Sequence, residues 1–174
     1  DIDKELKALN DNGYKEIVFV GINLSDYGKG TEHSLPDALA LAEKYDCYII
    51  EDNPYGELRF RGEPVAAIKS MDDNGRVIYV GSFSKTLTPG IRVGFVCCHK
   101  DIMDRIVVVK QVNDVHTPVL NQMMVYEYIK NYDYDAHIKA CAENYGKKCK
   151  LMIECIDKCF PKSVVHTNPE GGLF

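Results

Sequence analysis

Two short stretches carry residue types that could do chemistry. In the first, Ile49-Ile50-Glu51-Asp52-Asn53-Pro54-Tyr55, an apolar run stops at two carboxylates. In the second, Val80-Gly81-Ser82-Phe83-Ser84-Lys85-Thr86, another apolar run leads into a lysine. A lysine hemmed by Ser82, Phe83, Ser84 and Thr86 loses its proton more readily than one on a wet helix, because desolvation disfavours the ammonium form. A Schiff-base lysine requires this. Asp52, at a strand end, is an acid that can hold a pyridine nitrogen protonated, so that the ring withdraws electrons from a substrate carbanion. Tyr55, three residues on, is close enough to serve the same ligand. Ser82, Ser84 and Arg92 supply hydroxyl and guanidinium donors suited to a phosphate. Gly81, Gly90, Gly94 and Pro89 suit a loop whose backbone approaches a ligand. More than one phosphorylated cofactor would satisfy this set. Taken singly, each residue has a plainer reading: a loop lysine, an aspartate that starts a turn, a tyrosine covering an edge. Their mutually consistent offsets after two strands outweigh those readings.

The elements that must position these residues are legible from periodicity. The opening LKALNDNGYKEIVFVGINLSDYGKG reads as a short helix, a break at Asn12-Gly13, a strand from Ile17 to Val20 and a polar, glycine-bearing loop. A helix follows from Pro36, with Leu35, Leu39 and Ala42 at helical spacing and Ser34 as N-cap. Cys47 to Ile50, Val77 to Val80 and Val93 to Cys98 read as further strands. Strands separated by helical or irregular connections predict an α/β sheet buried on both faces, with ligands at its carboxyl edge. Beyond Lys100 the pattern turns helical. Ile102, Ile106 and Val109 form one stripe; Leu120, Met123, Met124 and Tyr126 form another, and both predict core-facing helices. Tyr134, Ile138, Cys141, Tyr145, Cys149, Met152, Ile156 and Cys159 recur at three- and four-residue steps or their sums, predicting one long helix that stops at Phe160-Pro161. The closing SVVHTNPEGGLF reads as a strand, a turn and the start of another strand, interrupted at Phe174. Arg59 and Arg61 read as solvated loop charges, and His116 as a helix-entry residue.

Composition narrows the function classes. Forty-five per cent hydrophobic and 27% charged residues describe an ordinary folded protein. Its 21 basic and 26 acidic side chains leave a net charge of −5, with no basic block to follow a phosphate backbone, so no nucleic acid partner is expected. No uncharged apolar run approaches the roughly 18 residues that span a bilayer, so no membrane partner is expected. Seven cysteines, two of them adjacent at 97 and 98, fit reduced thiols in a cytoplasmic compartment. Cys141, Cys149, Cys155 and Cys159 would spread over about 27 Å of helix at 1.5 Å per residue. They cannot close around one ion, so packing is their expected role and no metal site is proposed.

With those residues in view, the chain resembles the class I/II, fold-type-I pyridoxal-phosphate aminotransferases. The nearest branch is the one with 2-aminoadipate, kynurenine and aromatic aminotransferases and the MocR-type regulators. IIEDNPYGELRF is similar to that family's aspartate strand, VIYVGSFSKTLTPGIRVGF to its lysine loop and PEGGLF to the start of its small domain. The resemblance covers about residues 35–174. It implies pyridoxal 5'-phosphate as cofactor, with Lys85 as the Schiff-base lysine and catalytic residue. It makes Asp52 the ring-nitrogen partner and Tyr55 the donor to the 3-oxygen, with Ser82, Ser84 and Arg92 on the phosphate. Amino-acid and 2-oxo-acid substrates, amino-group transfer and a homodimer are further implications. The expected fold is a partial fold-type-I large domain: a mixed, mostly parallel sheet with flanking helices, followed by the beginning of a small α+β domain. The expected division is residues 1–34 as an atypical αβ unit, 35–133 as the partial large domain, and 134–174 as an interdomain helix and small-domain start.

Departures from the family shape the alternatives. Asn23 stands near the distance of the family's N-P-x-G asparagine but is followed by Leu24-Ser25, so that role is not carried over. Residues 1–33 instead resemble a strand and loop of radical-SAM tRNA methylthiotransferases, without that family's C-x3-C-x2-C motif. The chain therefore reads as a truncated or chimeric aminotransferase. The alternatives are a non-catalytic cofactor-binding remnant or regulator-type domain and, third, radical-SAM tRNA modification.

Overall fold

The computed structural model describes residues 2–14, 16–20 and 35–173. The expected Ser34 cap, Asn23, the glycine-bearing loop of residues 21–34 and Phe174 lie outside them. The elements follow one another as α1 (Ile2–Asp11), β1 (Glu16–Val20), α2 (Leu35–Lys44), β2 (Tyr48–Asp52), β3 (Val77–Ser82), β4 (Gly94–Cys97), α3 (Lys100–Asn113), α4 (Val119–Asn131) and α5 (Tyr134–Cys159). Short 3₁₀ turns at Ile68–Met71 and Pro89–Ile91 lie before and after β3.

The four strands form one mixed sheet in sequence order. β1, β2 and β3 run parallel, and β4 returns antiparallel against β3. This is the mostly parallel α/β arrangement expected, and the opening αβ unit is part of the same sheet. α2 stops because Asp46 takes a left-handed φ of +50°, which lets Cys47 N reach back to Ala42 O at 2.8 Å. That turn feeds directly into β2.

Burial among the described residues gathers in two clusters. Ala38 and Ala42 of α2 pack with Ile49, Ile68 and Val77 in one cluster. A second joins Ile91, Val93 and Val125, with Phe83 and Leu87 against it. Along β2 the side chains alternate, Ile49 and Glu51 inward and Tyr48 and Asp52 outward. On the face opposite Ile49 and Glu51, Ile50 is half-buried between exposed Tyr48 and Asp52, so cover there is less than the expected burial on both faces.

The helical stripes require a second correction. α3 holds no buried residue, and α4 buries Val125 alone. Val112 is 85% exposed and Leu120 70%, with Val109, Met123, Met124 and Tyr126 also open. Apolar period shows which face of a helix seeks cover, whereas cover itself depends on what packs there. α5 runs its full expected length, but Met152, Cys155 and Cys159 are exposed, so packing accounts at most for Cys141 and Cys149.

Two readings of the C-terminal segment also change. Residues 163–166 form no strand; among the described residues of this segment the extended pairing is an isolated bridge between Arg59 and Gly171. Phe60 N and Arg61 N both donate to Glu170 O, at 2.9 and 3.0 Å, and Gly172 N donates to Leu58 O at 3.0 Å. Arg59 is not a solvated charge, whereas Arg61 is exposed as expected but carries fixed partners. Arg59 pairs with Glu170 at 2.7 Å, and Arg61 donates to Asn168 Oδ1 at 2.6 Å and to Pro169 O.

Candidate active site

The carboxyl ends of β2 and β3 meet at one edge of the sheet. Asp52 is the last residue of β2 and pairs in register with Val80, two residues before Ser82 ends β3. Asn53 N donates to Val80 O at 3.0 Å and extends the ladder by one bond. An open α/β sheet offers its ligand crevice at this edge.

From β3 the chain enters a tight turn that carries Lys85. Leu87 N and Thr88 N both donate to Phe83 O, at 2.9 and 3.1 Å, and Phe83 N donates to Val93 O at 3.0 Å. Phe83 anchors the turn by packing on Phe95, with centroids 5.5 Å apart, and on Tyr134 at 6.3 Å. Gly81 is required here: a Cβ would stand 2.3 Å from the Phe95 ring. Within this frame Lys85 is half-buried, and its Nζ lies 5.9 Å from the centroid of the Tyr55 ring. That separation is within the range of cation–π attraction.

The proposed anion donors also come together. Ser82 Oγ accepts from Ser84 N at 3.1 Å, and Arg92 Nη1 makes a long contact of 3.4 Å with Ser84 Oγ. Arg92 itself sits at φ +53°, ψ +39°, a left-handed conformation that costs a non-glycine residue roughly 1–2 kcal/mol. Asn121 of α4 holds the preceding turn, donating from Nδ2 to Ile91 O at 2.8 Å. A strained residue pinned on both sides is a common feature of ligand sites.

Of the six residues singled out from the sequence, Lys85 is thus brought to Tyr55 and Ser84 to Arg92, with Ser82 bonded to the Ser84 amide. Asp52 shares their edge through strand register. Several residues at this edge carry no local signal. Thr86 is buried, and Tyr134 and His137 of α5 both bond to it. Burial pushes the Tyr134 phenol up, and the carboxylates of Glu57 and Asp135 push the same way against the opposing pull of the Thr86 hydrogen bond. Tyr134 therefore stays protonated and donates. Glu57 is itself raised, by burial first and by Asp135 second. Glu51, also unforeseen, is 1% exposed and accepts from Ile68 N at 3.0 Å and Lys69 N at 2.9 Å. Its place beside Ile49 in the alternating β2 pattern was the one sequence signal for that burial.

Comparison with known proteins agrees with this architecture. The family described as aminotransferase class I and II matches residues 29–174. Aromatic-amino-acid aminotransferase 1 of Thermococcus litoralis is 41% identical over 136 residues, covering 78% of this chain and 33% of that protein. The uncharacterized aminotransferase SSO0104 of Saccharolobus solfataricus is 36% identical over 100% of this chain and 44% of its own length. Pyrococcus horikoshii kynurenine aminotransferase, solved in complex with PMP, superposes with a TM-score of 0.86 at 34% identity, covering 98% of this chain and 43% of that one. The chain thus spans between a third and a half of these relatives. Full-length alignment with SSO0104 carries the aminotransferase likeness through residues 1–33, where the sequence suggested a radical-SAM segment. No helix among the described residues is long and apolar enough to cross a membrane. On the family match over residues 29–174 and the shared fold, the chain belongs to the class I and II aminotransferases.

Proposed function

We propose that this chain carries the cofactor-binding edge of an enzyme that moves an amino group from an amino acid to a 2-oxo acid, with Lys85 covalently attached to pyridoxal 5'-phosphate. The observation that carries this reading is the grouping of Lys85 with Tyr55, and of Ser84 with both Ser82 and Arg92, at the sheet edge that Asp52 closes. The PMP complex of the Pyrococcus horikoshii relative supports the choice of cofactor.

The donor set fits that group in kind. The Ser82 and Ser84 hydroxyls and the Arg92 guanidinium are phosphate donors, and a guanidinium matches phosphate in a fixed fork. Asp52 supplies the carboxylate that keeps a ring nitrogen protonated. Tyr55 supplies a hydroxyl for the ring oxygen. When bound, the cofactor provides an electron-poor ring that accepts the electron pair of the substrate's Cα–H bond. The Lys85 amine would take and return the substrate's Cα proton at Nζ as general base and acid. Half-burial of the lysine turn limits the water that competes for that proton. Residues 134–174 belong, on this reading, to the link between the large domain and a small one, and the working enzyme is a homodimer.

The test is borohydride reduction of the chain with pyridoxal phosphate, followed by peptide mass mapping. Label on Lys85, lost in Lys85→Ala, is expected; label on other lysines with none on Lys85 overturns the assignment. Label on Lys85 without conversion of any amino-acid donor would favour a cofactor-binding part that does not turn over alone.

A further inference from the structure

Thr86, next to Lys85, is 3% exposed. Two of its oxygens are engaged by one helix. Tyr134 Oη donates to Thr86 Oγ1 at 2.8 Å, and His137 Nε2 lies 3.0 Å from Thr86 O, where a ring N–H donates to the carbonyl. Tyr134 and His137 are three positions apart on the first turn of α5, so they share a face. That turn is itself fixed: Asp133 caps it by accepting from Ala136 N at 2.9 Å. The Tyr128 ring of α4 meets the His137 ring edge-on at 5.7 Å, and Phe83 meets Tyr134 at 6.3 Å.

We propose that Tyr134 and His137 are positioning residues for Lys85. They seat Thr86 by its side chain and its backbone together. Successive side chains in a tight turn leave the backbone in different directions, so a Thr86 held against α5 sends Lys85 away from the helix, toward Tyr55 and the open edge. A free hydroxyl or carbonyl at Thr86 would let the turn rotate, and the lysine would sample orientations that miss the ligand. The arrangement also couples α5 to the cofactor site: a shift of the helix start moves Thr86, and Lys85 with it. This proposal rests on the assignment of Lys85 to the cofactor. Its test separates the two.

The variants are Tyr134→Phe, which deletes one oxygen, His137→Leu, and Thr86→Val with Thr86→Ser as the conservative control. One readout needs no cofactor: hydrogen exchange at the Leu87 and Thr88 amides, which close the lysine turn. Tyr134→Phe, His137→Leu and Thr86→Val are each expected to speed that exchange about fivefold, the factor set by one net hydrogen bond. Exchange at the Ile49 and Asn53 amides of the β2 ladder should stay unchanged, and Thr86→Ser should keep the wild-type rate. The second readout is the rate at which borohydride traps pyridoxal phosphate on Lys85, expected to fall by a similar factor in the same three variants. Wild-type exchange and trapping in Tyr134→Phe, with β2 still protected, overturn the proposal. If Lys85 traps no cofactor in the wild-type chain, the cofactor assignment fails, and the exchange readout alone decides whether α5 holds the turn. Should His137→Leu lose β2 protection, the near-isosteric Tyr134→Phe decides between the two outcomes.

Discussion

The Arg59 guanidinium meets the Glu170 carboxylate at 2.7 Å across a separation of 111 residues, beside backbone bonds from Phe60 N and Arg61 N to Glu170 O. The pair thus sits on a small two-stranded contact that ties the segment after α5 back to the loop after β2. Arg59 is 16% exposed and Glu170 43%, so water screens the acid and the ion pair alone contributes little. Arg59→Ala is expected to lower stability by about 1 kcal/mol, with a coupling to Glu170→Gln below about 1 kcal/mol. Urea titration of the four chains of the double-mutant cycle measures both.

Glu51 caps the Ile68–Met71 turn from inside the core. Glu51→Leu removes the acceptor for two backbone N–H groups and should destabilise by about 2–4 kcal/mol. Glu51→Gln keeps one strong acceptor oxygen and should cost about half as much. Equal unfolding midpoints for wild type and Glu51→Leu would show that the cap does not contribute.

Asp72 sets an acid limb. Burial would raise its carboxyl, but hydrogen bonds from Lys69 and from the Val77 and Arg76 amides, with the Lys69 charge, hold it below the ordinary aspartate range. Its folded value lies below the unfolded one, near 3.9. The stabilisation is therefore complete above that value and is lost as pH falls through the folded one. Asp72→Asn should flatten stability against pH below about pH 4. Unfolding midpoints between pH 2 and 6 test this, and an unchanged acid limb would contradict it.

Arg92 separates binding from folding. Arg92→Gly frees the left-handed backbone, which offsets the greater entropy glycine loses on folding, so stability should change by less than about 1 kcal/mol. Affinity for pyridoxal phosphate should nevertheless fall tenfold or more, since a charged hydrogen bond contributes about 1.5–3 kcal/mol. Equilibrium binding of the cofactor to both chains is the measurement. Equal affinity would remove Arg92 from the anion site.

Local pattern was enough to locate β2, β3 and α5, to set Asp52 at the end of one strand and to set Lys85 in the turn after another, because a two-residue or 3.6-residue apolar period is written in neighbouring residues. The chemical grouping followed from short offsets, all within the reach of one strand and one turn. The short opening helix and the strand from Ile17 to Val20 were legible, yet only the parallel register of β1 on β2 joined that strand to the same sheet. Tertiary contacts decided the rest. Arg59 looked solvated because its partner lies more than 100 residues away. Thr86 looked like any loop threonine until α5 closed over it. The apolar stripes of α3 and α4 show the limit from the other side: period marks a face that would gain from burial, but whether it is covered depends on surfaces that no local window contains.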